Sequence, residues 1–292
     1  MFRRKKWTQI AGGVFIFMVL AACPVRAEEV SEDITVETMT MIDQHWSVPA
    51  ITAHTAILMD AQTGEVLYER QSRKVSPPAS TTKIMTAILA LELSKGDEIV
   101  TVSEKAGAVG ESSIYLNKGD KIKMSELIEG ALVKSGNDAC VAIAEQTAGT
   151  VDSFVELMNK KVLTIGGYNT HFVNPNGLPA KNHYSCAYDL AIMARYALQN
   201  DQFSELVKTK YASISFDEPP KIEQFKNTNK LLWSYPFTSG VKTGTTNEAG
   251  KCLVASANKE NRKLICVVLN APDRYGDSQK LFNWGFGNTK SN

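Results

Sequence analysis

The sequence predicts an α+β domain, an antiparallel sheet flanked by helices with a helical subdomain beside it. Three observations predict it. Strand patterns stand near both ends of the chain, helical patterns fill the middle, and the two ends of such a chain must meet to complete one sheet. The chain has 292 residues, 43% hydrophobic and 22% charged, enough for one large core.

Taken in order, MFRRKKWTQ is a basic start and the apolar run Ile10 to Ala22 is too short for an ordinary membrane span, so residues 1–27 read as an export signal. Val25-Arg26-Ala27 before Glu28 is a usable cleavage site. Leu20-Ala21-Ala22-Cys23 also looks like a bacterial lipobox, in which Cys23 would be lipidated. Cleavage after Ala27 is favoured because Pro24 directly follows Cys23. Residues 28–49 form a polar, weakly patterned stretch, and residues 50–292 one folded domain. A hairpin is expected from Thr55 to Tyr68, turning at Asp60 to Gly64. Helical periodicity then dominates from Ser80 to Leu198, including Ser125–Val133, Asp152–Thr164 and Ala187–Leu198. Strands return from Tyr211, with Lys251–Ala257 and Lys263–Leu269 joined across Asn258 to Asn261. A helix near Asp277–Phe286 closes the chain.

Within that order lie three short strings. Ser80-Thr81-Thr82-Lys83 opens an uninterrupted helical pattern, so the side chains at i and i+3 are neighbours, roughly 5–6 Å apart at Cβ. A serine hydroxyl is a poor nucleophile until a base takes its proton. A lysine serves as that base when apolar surroundings lower its pKa, and the helix after Ser80 is built from Ala, Ile, Leu, Met and Thr. The helix start also favours negative charge developing near Ser80. Taken alone, S-x-x-K is more simply a helix start with Ser80 as its cap and Lys83 along the surface. The same pattern at Ser239-Gly240-Val241-Lys242 falls in a strand segment, where i and i+3 point to opposite faces, and reads as accidental.

Ser135-Gly136-Asn137 lies between the apolar runs Leu127–Val133 and Ala139–Ala144, on a turn that would present both side chains to a cleft. Alone it is an ordinary helix break. Lys242-Thr243-Gly244 would place its lysine and threonine on a strand edge, with Gly244 allowing close approach of a ligand. Alone it is a polar edge strand.

In this order the strings form the S-x-x-K, S-x-N, K-T-G signature of serine acyl transferases that react with penicillin. The middle string is S-G-N rather than S-D-N. The sequence therefore resembles the low-molecular-mass penicillin-binding proteins, the serine D-alanyl-D-alanine carboxypeptidases, across roughly residues 50 to 287. AILMDAQTGEVLYE, SGNDACVAIAE, HFVNPNGL with HYSCAYDLAIMARYAL, and NTNKLLWSYPFTSGVKTGTTNEAGKCLVASA also carry the likeness. The resemblance implies the penicillin-recognising peptidase and β-lactamase fold, with the active site in a cleft between the sheet and the helical subdomain. It implies Ser80 as acyl-ester nucleophile, Lys83 as general base, and Ser135 and Asn137 as a proton-relay and orienting pair. Lys242, with Thr243 and Gly244, would hold the substrate carboxylate, and the backbone N–H groups of Ser80 and Thr245 would form the oxyanion hole. The implied partners are the peptidoglycan pentapeptide stem, which loses its last D-alanine, and β-lactam antibiotics.

Several classes are disfavoured. Net charge is +1, so nothing suggests nucleic acid. His45, His54, His171 and His183 show no H-E-x-x-H spacing, and no metal or cofactor is expected. Cys140, Cys186, Cys252 and Cys266 show no C-x-x-C spacing and read as buried free thiols. A class A β-lactamase is the first alternative, but no Glu-x-x-x-Asn segment stands out between Ser135 and Lys242. A non-catalytic penicillin-binding sensor is the second, and it would be expected to lose a catalytic group. The chain stops at Asn292, so no C-terminal β-rich domain or amphipathic anchor is expected. The location is extracytoplasmic, either secreted or associated with the wall or membrane, with membrane contact only through a lipidated Cys23.

Overall fold

A computed structural model describes residues 48–287; the expected export signal, residues 1–27, and nearly all of the expected polar stretch lie outside them. Strand β1 (Thr55–Asp60) turns into β2 (Val66–Arg70), as the hairpin pattern predicts. Asp60 organises the turn by accepting from the amides of Gln62 at 3.0 Å and Thr63 at 3.1 Å. A 3₁₀ turn, Ala79–Thr82, leads into helix α1 (Lys83–Leu93), in which every residue from Lys83 to Ala90 is buried. A helix apolar on all sides belongs inside the molecule, and α1 is its central rod.

Two short strands follow, β3 (Ile99–Thr101) and β4 (Lys121–Lys123), and then α2 (Met124–Glu129), which runs into a π-helical turn, Gly130–Lys134. Helices α3 (Asn137–Ala148), α4 (Val151–Thr164), α5 (Ala187–Ala197) and α6 (Asp201–Lys208) complete the helical part. Side-chain caps start α4 and α6: Thr150 accepts from Ser153 N at 3.1 Å and Asn200 from Phe203 N at 3.0 Å. Strands β5 (Tyr211–Glu218), β6 (Lys221–Lys226), β7 (Thr238–Thr246), β8 (Gly250–Lys259) and β9 (Arg262–Leu269) precede the closing helix α7 (Arg274–Gly287).

The strands make two antiparallel sheets, not one. The central sheet has the order β2-β1-β9-β8-β7, so the two ends of the chain do meet. Strands β5 and β6 join β3 and β4 in a separate sheet of order β3-β4-β5-β6. The second sheet has no signal in the sequence because β3 and β4 are three residues each, shorter than any alternation that marks a strand.

The central sheet is covered on both faces, which explains the nearly continuous apolar runs of β8 and β9. Along β1, Ile57 and Met59 face the helical core, while Ala56 and Leu58 face α7. Helix α7 is fastened by Asp277, fully buried, whose carboxylate accepts from Thr52 N, Ala53 N and Thr52 Oγ1 at 2.8–3.0 Å. All four cysteines expected to be free are buried and unpaired. Asp277→Ala leaves two amide donors without their acceptor and is expected to lower unfolding stability by about 2–4 kcal/mol, measured by urea denaturation.

Candidate active site

The junction between the 3₁₀ turn and α1 places Ser80 and Lys83 on one side, three residues apart. Lys83 is fully buried, and its Nζ donates to Ser80 Oγ at 2.9 Å. It also donates to Asn137 Oδ1 at 2.8 Å and to the main-chain oxygen of Asn176 at 2.6 Å. Burial, outweighing the nearby Cys140, Asp138 and Glu111, lowers the Lys83 pKa to about 8. Its amine is therefore partly neutral near neutral pH, as a base must be.

Ser135 follows the π-helical turn in a left-handed conformation, φ 71°, and Asn137 opens α3. The Asn137 carboxamide is oriented from behind: its Nδ2 donates to Gly110 O at 3.1 Å, which turns Oδ1 toward Lys83. Asp138, buried beside it, accepts from the amides of Ile114 and Leu116 and holds the 110–117 segment in place. Ser135 is buried, and the three Lys83 hydrogen bonds go to other groups.

Lys242, Thr243, Gly244 and Thr245 lie in sequence on β7, at the edge of the central sheet. An added Cβ at Gly244 would sit 3.0 Å from Ser80 N, so the strand backs directly onto that amide. Thr243 Oγ1 is paired with Thr228 Oγ1 at 2.7 Å. Lys242 is only 1% exposed, and burial first, then the charge on Lys83, pushes its pKa well below the ordinary lysine value. The other S-x-x-K copies stay on strands: Ser239 Oγ is paired at 2.9 Å with Ser256 Oγ, and Ser256 begins a third copy ending at Lys259.

Several neighbours were invisible as sequence motifs. Arg274, at the start of α7, donates from Nη1 to Gly244 O and Thr245 Oγ1, both at 2.9 Å. His183 is buried, and its pKa falls to about 4, chiefly through burial and then through His171. Its Nδ1 accepts from Val173 N at 3.0 Å, so the ring proton is on Nε2, which donates to Thr82 Oγ1 at 2.9 Å. Thr82 Oγ1 in turn donates to Ala79 O at 2.9 Å. Ala79, immediately before Ser80, is left-handed at φ 49°, a costly conformation for a residue with a Cβ. The chain His183, Thr82, Ala79 ties that turn to the 173–183 loop.

A Glu-x-x-x-Asn spacing does exist at Glu223-Gln224-Phe225-Lys226-Asn227, contrary to the reading of the sequence. Glu223 lies on β6, paired with Ile214 in the separate sheet. Among the described residues, no group of three or more His, Cys, Asp or Glu could hold a metal ion, and no helix is long and apolar enough to cross a membrane.

Residues 42–273 match the peptidase S11 family, D-alanyl-D-alanine carboxypeptidase. The D-alanyl-D-alanine carboxypeptidase DacF of Bacillus subtilis is 41% identical over 242 residues, covering 80% of this chain and 62% of that protein. DacC of Escherichia coli, also a D-alanyl-D-alanine carboxypeptidase, is 39% identical over 259 residues, covering 84% of this chain and 64% of that protein. The chain thus spans a little under two thirds of the length of these relatives. The crystal structure of the Streptomyces K15 DD-transpeptidase superposes with a TM-score of 0.78 at 34% identity, covering 82% of this chain and 99% of that one.

Gly177, at φ 87°, packs against the turn that carries Ser80: a Cβ there would lie 1.9 Å from Ala79 O. Gly177→Ala must displace the Ala79–Ser80 backbone and is expected to slow acylation of Ser80 by about a hundredfold. Stopped-flow acylation by a fluorescent penicillin checks this, with urea denaturation separating misplacement from unfolding.

Proposed function

This chain belongs to the D-alanyl-D-alanine carboxypeptidase family, and from that membership we propose that it removes the terminal D-alanine of peptidoglycan stem peptides through an acyl-enzyme on Ser80. The observation that carries the reading is the 2.9 Å hydrogen bond between Ser80 Oγ and a buried Lys83 whose pKa is lowered to about 8. Neutral Lys83 takes the hydroxyl proton as Ser80 Oγ attacks the carbonyl of the penultimate D-alanine. The oxyanion is received by the N–H groups of Ser80 and Thr245, on the two backbone segments that Gly244 brings together. The proton passes to the leaving D-alanine amine through Lys83 or Ser135, with Asn137 holding the substrate and Lys83 in register. Water then attacks the ester, with the same groups working in reverse.

Lys242 receives the substrate carboxylate with Thr243. In the free site its ammonium is opposed by burial and by Lys83. An arriving carboxylate offsets both, so recognition and proton uptake at Lys242 are coupled. β-Lactams, which present a carboxylate beside a reactive amide, acylate Ser80 by the same steps. An amine in place of water gives transpeptidation through the same acyl-enzyme, the reaction named for the Streptomyces structure.

A peptidoglycan enzyme works outside the cytoplasm, which agrees with residues 1–27 serving as an export signal. With cleavage after Ala27, Cys23→Ser leaves the distribution between membrane and soluble fractions unchanged; a shift into the soluble fraction means that lipidated Cys23 is the attachment.

The defining experiment follows free D-alanine from a diacyl-D-Ala-D-Ala peptide with and without an amine acceptor. Because Lys83 acts deprotonated, the acylation rate is expected to rise about tenfold per pH unit below about 8 and to level off above it. Lys83→Ala is expected to lower acylation by peptide and penicillin at least about a thousandfold, whereas Lys242→Ala raises KM more than it lowers kcat. Acylation by Lys83→Ala at the wild-type rate removes the general-base role.

A further inference from the structure

The outer face of the β5–β6 hairpin takes no part in the chemistry at Ser80, yet it presents an aromatic ring, amide and hydroxyl groups and two cations together. Burial alternates along β5 from Tyr211 to Phe216, so Tyr211, Ser213 and Ser215 stand on one exposed face. Register places Lys226 opposite Tyr211 and Gln224 opposite Ser213. Tyr211 is 65% exposed. Its ring is met edge-on by Trp233, from the short helix Leu231–Ser234, with centroids 5.9 Å apart and planes at 77°. The ammonium groups of Lys226 and Lys210 lie 4.6 and 6.0 Å from the centre of the Trp233 ring. Among the described residues, neither lysine forms an ion pair. A shallow groove of about 410 Å³ follows this face, with Tyr211, Ser213, Gln224 and Lys226 in its lining.

That set of groups is complementary to a sugar chain. An exposed aromatic face receives the C–H face of a pyranose ring, while the Ser213 hydroxyl and the Gln224 carboxamide can exchange hydrogen bonds with its hydroxyl and N-acetyl groups. A lipid surface would ask for a contiguous apolar patch, and Ser213, Ser215 and Gln224 interrupt one. The two lysines call for carboxylates on the same ligand. Position narrows the choice further. Lys226 is two residues before Thr228, a reach of roughly 7 Å, and Thr228 Oγ1 is 2.7 Å from Thr243 Oγ1 at the proposed carboxylate site. A polymer whose peptides enter the cleft therefore comes within reach of this face.

We propose that this face is a glycan-binding site, which holds an N-acetylhexosamine strand of peptidoglycan beside the cleft. The inference rests on the carboxypeptidase reading for the identity of the polymer and adds to it a second point of contact. Tyr211 is the stacking platform, braced by Trp233. Lys226 and Lys210, held beside the platform by the Trp233 ring, receive carboxylates of the stem peptides that the strand carries. Engaging both sites tethers the enzyme to an insoluble substrate and raises the effective concentration of stem peptide at Ser80.

The test measures co-sedimentation of the protein with insoluble peptidoglycan stripped of other wall polymers, with a soluble N-acetylglucosamine hexamer as competitor. The hexamer carries neither charge nor peptide and is expected to displace the protein. Tyr211→Ala is expected to weaken binding to the insoluble polymer about tenfold, whereas Tyr211→Phe, which keeps the ring face, retains it. Lys210→Gln combined with Lys226→Gln is expected to weaken binding about fivefold and to flatten its dependence on salt. For every variant, kcat/KM on a soluble diacyl-D-Ala-D-Ala peptide stays within about twofold of wild type, which shows that the variants are folded, while D-alanine release from the insoluble polymer falls with binding. Unchanged sedimentation of Tyr211→Ala would overturn the glycan site. So would binding that salt abolishes but the hexamer leaves intact, because the face would then hold any polyanion. Failure of the wild-type protein to release D-alanine from the soluble peptide would overturn the carboxypeptidase reading instead, and displacement by the hexamer together with the loss in Tyr211→Ala would still establish the glycan face.

Discussion

Everything around Ser80 is arranged to keep one lysine amine out of water. Burying an ammonium without partners is prohibitively unfavourable, and Lys83 is fully buried. It survives there because three acceptors converge on it from separate parts of the chain: Ser80 in the turn before α1, Asn137 at the start of α3, and Asn176 in the loop before α5. The acceptors come first from packing, since α1 runs through the middle of the core and leaves Lys83 no path to solvent. The cost of burial appears as a lowered proton affinity, the property that a base acting on serine would require. The second buried lysine, Lys242, compounds the electrostatic conflict, since its ammonium is opposed by burial and by the charge on Lys83.

Geometry at Ser80 is imposed from behind in the same way. The left-handed Ala79 would relax if it were free, but it is held by Thr82 and His183 on one side and pressed by Gly177 and Gly244 on the other. Strain of this kind persists only where surrounding structure over-determines it. The two glycines matter for what they lack: at Gly177 the Ala79–Ser80 peptide is too close for a Cβ, and at Gly244 a Cβ would be tightly crowded. His183 takes no part in the proposed chemistry, yet as a neutral ring with its proton on Nε2 it links the 173–183 loop to the nucleophile's turn.

Much of this was legible in the sequence, and what was not has a common physical cause. The hairpin of β1 and β2, the helices from α2 to α5, the β8–β9 pair and the three strings all express local periodicity or spacing, which a reader of residues can follow. The i, i+3 neighbourhood of Ser80 and Lys83 is likewise local. The separate sheet was missed because β4 gains its strand character from β5, about a hundred residues later, and β3 gains its own from β4, not from their composition. Asn176 contributes a main-chain oxygen, which no side-chain motif can announce. Arg274 and His183 reach the site only through tertiary contact, from positions 29 and 101 residues away from the groups they bind. The Glu223 to Asn227 spacing shows the reverse error, in which a pattern is present in the letters but its residues fold into another sheet.

The position of β1 between β2 and β9 bears on how the molecule comes into being. Thr55 pairs with Leu269, and the amides of Thr52 and Ala53 find their acceptor only in Asp277, 225 and 224 residues further on. Contacts of such long sequence separation form late, because the entropy of closing the intervening chain must be overcome before they return any energy. While it is being synthesised, the chain holds a serine and its helix but lacks the strand that seals the sheet behind them. The central sheet is completed only when β9 and α7 are available, so until then β1 has β2 on one edge and no partner on the other.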